Sequence, residues 1–160
     1  MAANAATAQA SATEPAPETT LTVIRSFDAP MEAVFQAWTV PEQLIQWWGP
    51  EGMHVPEHRM DVRDGGSWRT VMRGSEGDHI VAGDYREVSP PDRLVFTWAW
   101  ETDGARGHET VITISLRDLG GRTELTLTQE DFETKDARDN HRLGWTSSFA
   151  CLETHLQAAD

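Results

Sequence analysis

Apolar and polar residues alternate at the start of the chain and along most of its middle, which is the two-residue period of half-buried β-strands. Residues 20–27 form the first such segment, and six more follow at 55–62, 67–72, 79–88, 93–101, 110–118 and 123–130. Turn residues separate the six, as at Asp64-Gly65-Gly66 and Gly120-Gly121. We therefore predict six successive antiparallel strands, joined in one sheet by the first strand.

The alternation also predicts one apolar and one polar face for this sheet. The apolar face is expected to carry Leu94, Phe96, Trp98, Trp100, Ile112, Ile114, Leu116, Leu125 and Leu127. The face expected to meet solvent carries Thr97, Glu101, Thr113, Arg117, Glu124 and Thr126.

Between the first two strands the period changes to that of two short helices. The first helix has Pro30 at its expected first position and an apolar stripe made of Met31, Val34, Phe35 and Trp38. The second is expected to run from Pro41 through Trp48, where Gly49 and Pro50 end it. The segment Gln46-Trp47-Trp48-Gly49-Pro50 thus places two adjacent tryptophans at the end of a helix.

A long helix closes the chain and is expected to cover the apolar face of the sheet. After Thr134 an apolar stripe recurs at steps of three and four, made of His141, Trp145, Phe149, Leu152 and Leu156. About twenty residues of helix follow from this pattern. Gly144 is unfavourable in a helix interior by about 1 kcal/mol relative to Ala, which indicates that space is needed beneath this helix.

Composition limits the classes of partner. The chain has 13 Lys and Arg against 26 Asp and Glu, a formal charge of −13, which disfavours nucleic acid and anionic membrane surfaces. No apolar run is long enough to cross a bilayer, so we expect no membrane insertion and a cytoplasmic protein. The single cysteine, Cys151, is expected to be a small core residue.

The domain organisation follows from a change in composition near residue 20. Residues 1–19 are rich in Ala, Thr, Pro and Glu and are expected to form a disordered tail. Residues 20–158 are expected to form a single domain that is a monomer or a weak homodimer.

Five blocks in fixed order resemble one known superfamily. They are FDAPMEAVFQAWTVPEQLIQWWGP, DVRDGGSWRTVMRG, GDYREVSPPDRLVFTWAW, TELTLTQEDF and HRLGWTSSFACLETHL. Together they resemble the helix-grip (SRPBCC, START-like) superfamily over about residues 20–157, and most closely its branch named for the activator of heat-shock protein 90 ATPase, homologue-1-like. The resemblance implies an α+β helix-grip fold, like that of the birch-pollen allergen, with a curved antiparallel sheet of about seven strands around the C-terminal helix.

The same resemblance implies an internal hydrophobic cavity between the sheet and the last helix. The leading hypothesis is binding or carriage of a small, largely apolar ligand such as a lipid, polyketide or aromatic metabolite, without a cofactor. A cyclase- or hydrolase-type enzyme is the alternative, and it requires titratable side chains that converge in the cavity, for which the chain offers His141, Tyr85, Asp84 and Glu87. A module that regulates a chaperone ATPase is the third hypothesis.

The residues expected to line the cavity come from every part of the fold. They are Trp47, Trp48, Trp68, Thr70, Met72, Tyr85, Phe96, Trp98, Ile112, Ile114, His141, Trp145 and Phe149. Of the two adjacent tryptophans, one is expected to cap the core and the other to line the entrance. Ordinary core packing is the alternative for each of these side chains.

Two patterns of catalytic or metal-binding chemistry carry little weight. His54-Val55-Pro56-Glu57-His58 matches an inverted zinc-protease pattern, but it lies on an expected strand, where residues four apart are about 13 Å from each other. No serine occupies a GxSxG context. The sequence therefore predicts neither a metal site nor a serine hydrolase.

Overall fold

A computed structural model of the protein describes residues 19–49 and 52–158. The predicted tail therefore lies outside the described residues, apart from Thr19, whose carbonyl accepts a hydrogen bond from the Phe132 amide at 3.1 Å. Pro50, expected to end the second helix, also lies outside them.

Seven antiparallel strands form one curled sheet. Their bounds are β1 Thr20–Phe27, β2 His54–Met60, β3 Ser67–Gly74, β4 Gly77–Ser89, β5 Arg93–Thr102, β6 Ala105–Asp118 and β7 Thr123–Glu130. The order across the sheet is β1-β7-β6-β5-β4-β3-β2. The predicted meander is thus confirmed, and the first strand joins it beside the last one, with Val23 opposite Leu127.

Three helices complete the fold: α1 Met31–Thr39, α2 Pro41–Leu44 and α3 Lys135–Ala158. Pro30 is the N-cap of α1 and not its first helical residue: its backbone angles are extended, and its carbonyl accepts a hydrogen bond from the Val34 amide at 3.1 Å. The prediction that the second helix reaches Trp48 is wrong. The helix ends at Leu44, and turns that still bond to the Leu44 carbonyl continue the chain through Trp48.

The helix α3 crosses the concave face of the sheet as its apolar stripe predicted. Trp145, Phe149, Leu152 and Leu156 are buried, and His141 is half-buried. The Thr134 hydroxyl accepts a hydrogen bond from the Ala137 amide at 3.0 Å, which caps the first turn. Cys151 is half-buried against the core.

The outer face of the sheet is less exposed than the alternation predicted. Thr97, expected to meet solvent, is 2% exposed. Its Oγ1 accepts a hydrogen bond from the Asp84 amide at 2.8 Å, and Arg106 reaches across the outer face to the Gly83 carbonyl at 3.3 Å. Glu101, on the same face, is half-buried, and both of its carboxylate oxygens accept from Nε of Arg69, at 3.1 and 3.2 Å. Long charged side chains therefore cover the middle of a face that the period-two pattern marks only as polar.

The segment 103–109, between the predicted strands 93–101 and 110–118, is mostly strand. Asp103 and Gly104 both have positive φ, as a two-residue hairpin turn requires, so β6 begins at Ala105 and pairs with β5 from there. His108 and Glu109 belong to this strand and are exposed.

Among the residues that the structure describes, no helix is long and apolar enough to cross a membrane.

Candidate functional site

A cavity of about 380 Å³ lies between α3 and the concave face of the sheet. We call it the α3 cavity. Its wall consists of Trp48, Gly49, Met72, Trp98, Trp100, Ala137, Asn140, His141, Gly144, Trp145 and Ser148. No Asp, Glu, Lys or Arg occurs among these described wall residues, so the wall is apolar and aromatic with a few neutral polar groups. A cavity of this volume matches the lower range of pockets that hold small organic molecules, about 300–1,000 Å³.

One face of α3 supplies more than half of the wall. Its members are spaced three and four residues apart and are Ala137, Asn140, His141, Gly144, Trp145 and Ser148. Gly144 lies in the middle of this face, where any larger side chain would extend towards the sheet. The glycine that is unfavourable for the helix is therefore positioned to keep the cavity open.

Strands β3 and β5 supply the opposite wall. Trp98 and Trp100 extend from β5 on the same face, with their rings 5.6 Å apart, and Met72 extends from β3. Trp98 is 6% exposed, whereas Trp100 is 40% exposed. Because Trp100 both lines the cavity and meets solvent, the cavity reaches the protein surface beside this side chain.

Of the two adjacent tryptophans, Trp47 lies in the core and Trp48 lines the cavity. Trp47 is buried and donates its indole N–H to the Ala37 carbonyl at 3.0 Å. Trp48 donates its indole N–H to the Thr70 hydroxyl at 2.9 Å and lines the α3 cavity. Gly49 follows with a φ of 90°, a conformation that favours glycine, and also lines the cavity.

A chain of buried polar groups positions two of the tryptophans. The Trp145 indole N–H donates to Gln129 Oε1 at 2.9 Å, and Gln129 Nε2 donates to the Thr110 hydroxyl at 2.8 Å. That hydroxyl in turn donates to the Trp98 carbonyl at 3.3 Å. Gln129 and Thr110, on neighbouring strands, were not predicted as site residues. Their signal was available, because both are polar residues at inward positions of otherwise apolar strands.

His141 is the titratable side chain of the described wall. Its Nδ1 is 2.9 Å from the Ala137 carbonyl, and its ring packs against Trp98, Trp100 and Phe132 at centroid distances of 5.0–5.8 Å. Burial lowers the pKa of the imidazole, and the hydrogen bond to the Ala137 carbonyl raises this pKa by a smaller amount. The ring is therefore neutral at neutral pH.

The lowered pKa of His141 leads to a prediction about stability. In the unfolded chain the imidazole binds a proton near its ordinary pKa of about 6.5, whereas the buried ring binds it less readily. Its stabilising contribution is therefore complete above that ordinary pKa and is lost as pH falls from there towards the lowered folded-state value. We expect the free energy of unfolding to fall less between about pH 7.5 and about pH 5.5 in His141→Phe than in wild type. Urea unfolding followed by circular dichroism measures this difference.

His155→Phe is the matched control for this experiment. Burial also lowers the pKa of His155, but this ring is less deeply buried and contacts Gln43 instead of the cavity. We expect the control to keep most of the wild-type pH dependence. If lowering the pH from about 7.5 to about 5.5 reduced the free energy of unfolding equally in wild type and in His141→Phe, the result would contradict the burial of a neutral imidazole.

Other predicted site residues surround a second, much smaller void. Trp68, Tyr85 and Phe96 line a space of about 10 Å³, which is near the limit for a single water molecule. Burial raises the pKa of the Tyr85 hydroxyl, so this side chain stays protonated and cannot serve as a base near neutral pH. These residues pack beside the α3 cavity and do not line it.

The remaining predicted site residues are core. Ile112, Ile114, Phe149 and Thr70 are each at most 1% exposed, and none lines the α3 cavity. Thr70 acts through Trp48, which it holds by a hydrogen bond, instead of facing a ligand. The wall residues outside the predicted set are Gly49, Trp100, Ala137, Asn140, Gly144 and Ser148. Of these, Gly144 was predicted to leave space beneath the helix but was not named as a site residue.

The titratable residues that an enzyme would need to bring together are separated. Asp84 pairs with Arg106 on the outer face, and Glu87 bonds to Ser89 and Arg93. The Ser89 hydroxyl, and then Arg93, lower the pKa of Glu87 and keep it ionised. Of the four residues considered for acid–base chemistry, only His141 is in the wall of the α3 cavity.

The histidines of the HxxEH pattern are on the edge strand β2. His54 lies opposite Arg73 and His58 opposite Thr70, with an irregular register between them. Within residues 19–49 and 52–158, no group of three or more His, Cys, Asp or Glu could hold a metal ion.

Comparison with known proteins gives one family and several similar folds. The sequence model of the family described as Activator of Hsp90 ATPase homolog 1-like protein matches residues 28–157. The structure of the AHSA1 protein from Silicibacter pomeroyi has 34% sequence identity and a TM-score of 0.82, covering 88% of this chain and 99% of that one. No curated protein matches the chain.

Two further structures have the same fold at lower identity. A protein from Rhodobacter sphaeroides is 28% identical with a TM-score of 0.77, over 92% of this chain and 98% of that one. A protein from Nitrosomonas europaea is 26% identical with a TM-score of 0.78, over 91% and 98% respectively.

Proposed function

Because the chain belongs to the family of Activator of Hsp90 ATPase homolog 1-like proteins, whose helix-grip fold commonly binds hydrophobic ligands, we propose that this protein binds a small, largely apolar ligand in the α3 cavity. The observation that carries the proposal is the wall itself. Four tryptophans, Trp48, Trp98, Trp100 and Trp145, surround a space of about 380 Å³ whose described wall residues carry no charged group. Such a wall favours apolar and aromatic molecules, since it offers large aromatic surfaces and no charged partner.

The cavity geometry supports binding more than solid core packing. A closely packed interior leaves few spaces larger than a water molecule, as in the second void beside Tyr85. The α3 cavity is far larger, and Gly144 stands in its wall at a cost to helix stability. Trp100 lines the cavity and is partly exposed, which supports a route for a ligand from solvent.

Titration of tryptophan fluorescence tests the proposal directly. Because four of the seven tryptophans line the cavity, a bound aromatic molecule should change their emission. We would follow the emission while titrating the full chain with a panel of lipids, flavonoids and polyketides, and would titrate 2-methoxynaphthalene, whose own emission overlaps that of tryptophan, by calorimetry. Saturable binding of an apolar probe supports the proposal, and the absence of any shift across the panel would count against it.

A cavity-filling substitution supplies the mutational test. Gly144→Leu places a branched side chain in the cavity wall while raising the helix propensity of α3 by nearly 1 kcal/mol. We expect at least about a tenfold loss of probe affinity, equivalent to about 1.4 kcal/mol, without loss of folding. Ala150→Leu, at an exposed position of the same helix, is the control and should leave the affinity unchanged. Binding that Gly144→Leu leaves intact would place the ligand elsewhere.

The family description also refers to an Hsp90 ATPase, so a chaperone ATPase is the alternative partner. This alternative predicts that Gly144→Leu has no effect on the interaction, because a surface contact does not depend on the cavity. If no small molecule binds, measuring chaperone ATPase activity in the presence of the protein is the next experiment.

A further inference from the structure

Two side chains in the wall of the α3 cavity each have a ring nitrogen that is covered by protein atoms and has no hydrogen-bond partner. These nitrogens are Nε2 of His141 and Nε1 of Trp98, which belong to side chains whose rings are 5.8 Å apart. In contrast, the indole nitrogens of Trp48 and Trp145, in the same wall, are both hydrogen-bonded. A buried polar group without a partner is costly, and such groups in a native fold call for an explanation.

The two nitrogens have opposite hydrogen-bonding roles. Nδ1 of His141 faces the Ala137 carbonyl, which can only accept, so Nδ1 carries the hydrogen. In the neutral ring Nε2 is then an acceptor, while the indole Nε1 of Trp98 is always a donor. Two neighbouring side chains of the wall therefore carry one acceptor without a donor, Nε2 of His141, and one donor without an acceptor, Nε1 of Trp98.

An unpaired indole nitrogen alone does not mark a ligand site. The Nε1 atoms of Trp38 and Trp68 are also unpaired, and neither side chain lines the α3 cavity. What distinguishes the cavity wall is the acceptor on His141 next to the donor on Trp98. A neutral imidazole nitrogen is a strong acceptor, and no described group of the protein donates to it.

We propose that the ligand of the α3 cavity is an aromatic molecule with a neutral hydroxyl group that donates to Nε2 of His141 and accepts from Nε1 of Trp98. This inference rests on the proposed function and names the ligand class. Both nitrogens are covered by neighbouring atoms in the structure. The proposal therefore includes a tilt of the two rings towards the adjacent cavity, which brings both nitrogens within reach of one hydroxyl oxygen.

Polar groups other than a hydroxyl cannot bond to both Nε2 of His141 and Nε1 of Trp98 equally well. A carboxylate or an ether can accept from Trp98 but has no hydrogen to donate to His141. An ammonium group can donate but cannot accept. Either ion would also enter a wall whose described residues carry no opposite charge, at a large desolvation cost. The hydroxyl group both donates and accepts through one atom.

A matched pair of probes tests the inference. 2-Naphthol and its methyl ether, 2-methoxynaphthalene, share one ring system, but only the naphthol can donate a hydrogen bond. By calorimetric titration of the full chain we expect 2-naphthol to bind about 5- to 10-fold more tightly than the ether. In His141→Phe this ratio should fall to about one, because the substitution keeps an aromatic ring and removes the acceptor.

Two further variants make the result specific. Trp98→Phe keeps a ring in the wall and removes the indole donor, so it should lower the ratio without abolishing binding of the ether. His155→Phe makes the same His-to-Phe change at a residue outside the cavity wall and should leave the ratio at its wild-type value.

The outcomes separate the inference from the proposed function. If wild type binds both probes with a ratio near one, or if His141→Phe keeps the wild-type ratio, the hydroxyl contact is overturned while the cavity remains a binding site. If wild type binds neither these probes nor the apolar panel, the proposed function fails and this inference fails with it. A ratio that depends on both His141 and Trp98 supports the inference.

Discussion

Trp38→Ala is expected to lower the free energy of unfolding by about 3–5 kcal/mol, the largest single effect predicted for this protein. Trp38, from α1, is 2% exposed and lies at the centre of the aromatic core. Its ring contacts five others, with centroids 4.7–6.2 Å away, those of Trp47, Trp48, Phe96, Trp145 and Phe149. Removing it leaves a cavity between α1, the sheet and α3, which the neighbouring large rings cannot fill by small movements.

Urea unfolding followed by far-ultraviolet circular dichroism measures this effect, because tryptophan emission itself changes in the variant. Trp38→Phe should lose clearly less, since a ring remains in contact with Trp47. Trp100→Ala is the matched control, and we expect a smaller loss of about 2 kcal/mol because this side chain is 40% exposed. A Trp38→Ala variant as stable as Trp100→Ala would contradict the central position of Trp38.

Gly83→Ala is expected to cost about 3 kcal/mol, near the upper end for overpacking by a single methyl group. A Cβ atom at Gly83 would be 1.8 Å from the Thr97 carbonyl oxygen and 2.7 Å from Nε1 of Trp68. The first of these is backbone, so strands β4 and β5 must move apart for the methyl group to fit. That movement would also disturb the Asp84 amide bond to Thr97 and the packing of Trp68 beside the cavity.

Gly107→Ala makes the same change without the close contact. A Cβ there would be 3.4 Å from the Trp100 carbonyl, an ordinary packing distance, and the site is an exposed strand position. We expect its stability to remain within about 0.5 kcal/mol of wild type. Thermal unfolding of the two variants side by side checks the prediction. Equal melting temperatures would mean that β4 and β5 do not approach as closely as the structure has them.

The order of elements and the inward faces of most strands could be predicted from sequence, because they depend on local periodicity. Phe96 and Trp98, two residues apart, alternate correctly onto the concave face and are both buried. The early end of α2 could not be predicted in the same way. Leu44 and Trp48 still share backbone hydrogen bonds across a helix-like turn, so the apolar spacing continues beyond the helix itself.

The site itself could be predicted only in part. Trp48, Met72, Trp98, His141 and Trp145 were predicted and are in the wall of the α3 cavity. Phe96 was also predicted but lies against the smaller void, because alternation gives the face of a strand and not the path of α3 above it. Ser148 was missed because it is a small polar residue, although its position continues the spacing of the wall residues along α3.

The alternation of apolar and polar residues also failed to predict which polar side chains are buried. Thr97 is polar and on the convex face, yet it is buried because Gly83 allows a close backbone approach and Arg106 extends across the face. Gln129 is at an inward position and fully buried because Trp145 and Thr110 use its amide. In both cases the partners are distant in sequence. Alternation could therefore mark Gln129 as a polar residue at an inward position, but it could not identify the groups that bond to Gln129 or cover Thr97.

The indole N–H signals of the seven tryptophans in a two-dimensional ¹H–¹⁵N spectrum test most directly the claim that the α3 cavity is the ligand site. With 2-methoxynaphthalene added to saturation, we expect the signals of Trp48, Trp98, Trp100 and Trp145 to move, because these rings line the cavity. The signals of Trp38 and Trp47, which lie in the core outside the wall, should move least. Equal movement of the core and wall signals, or no movement of any signal with every apolar probe of the panel, would contradict this account.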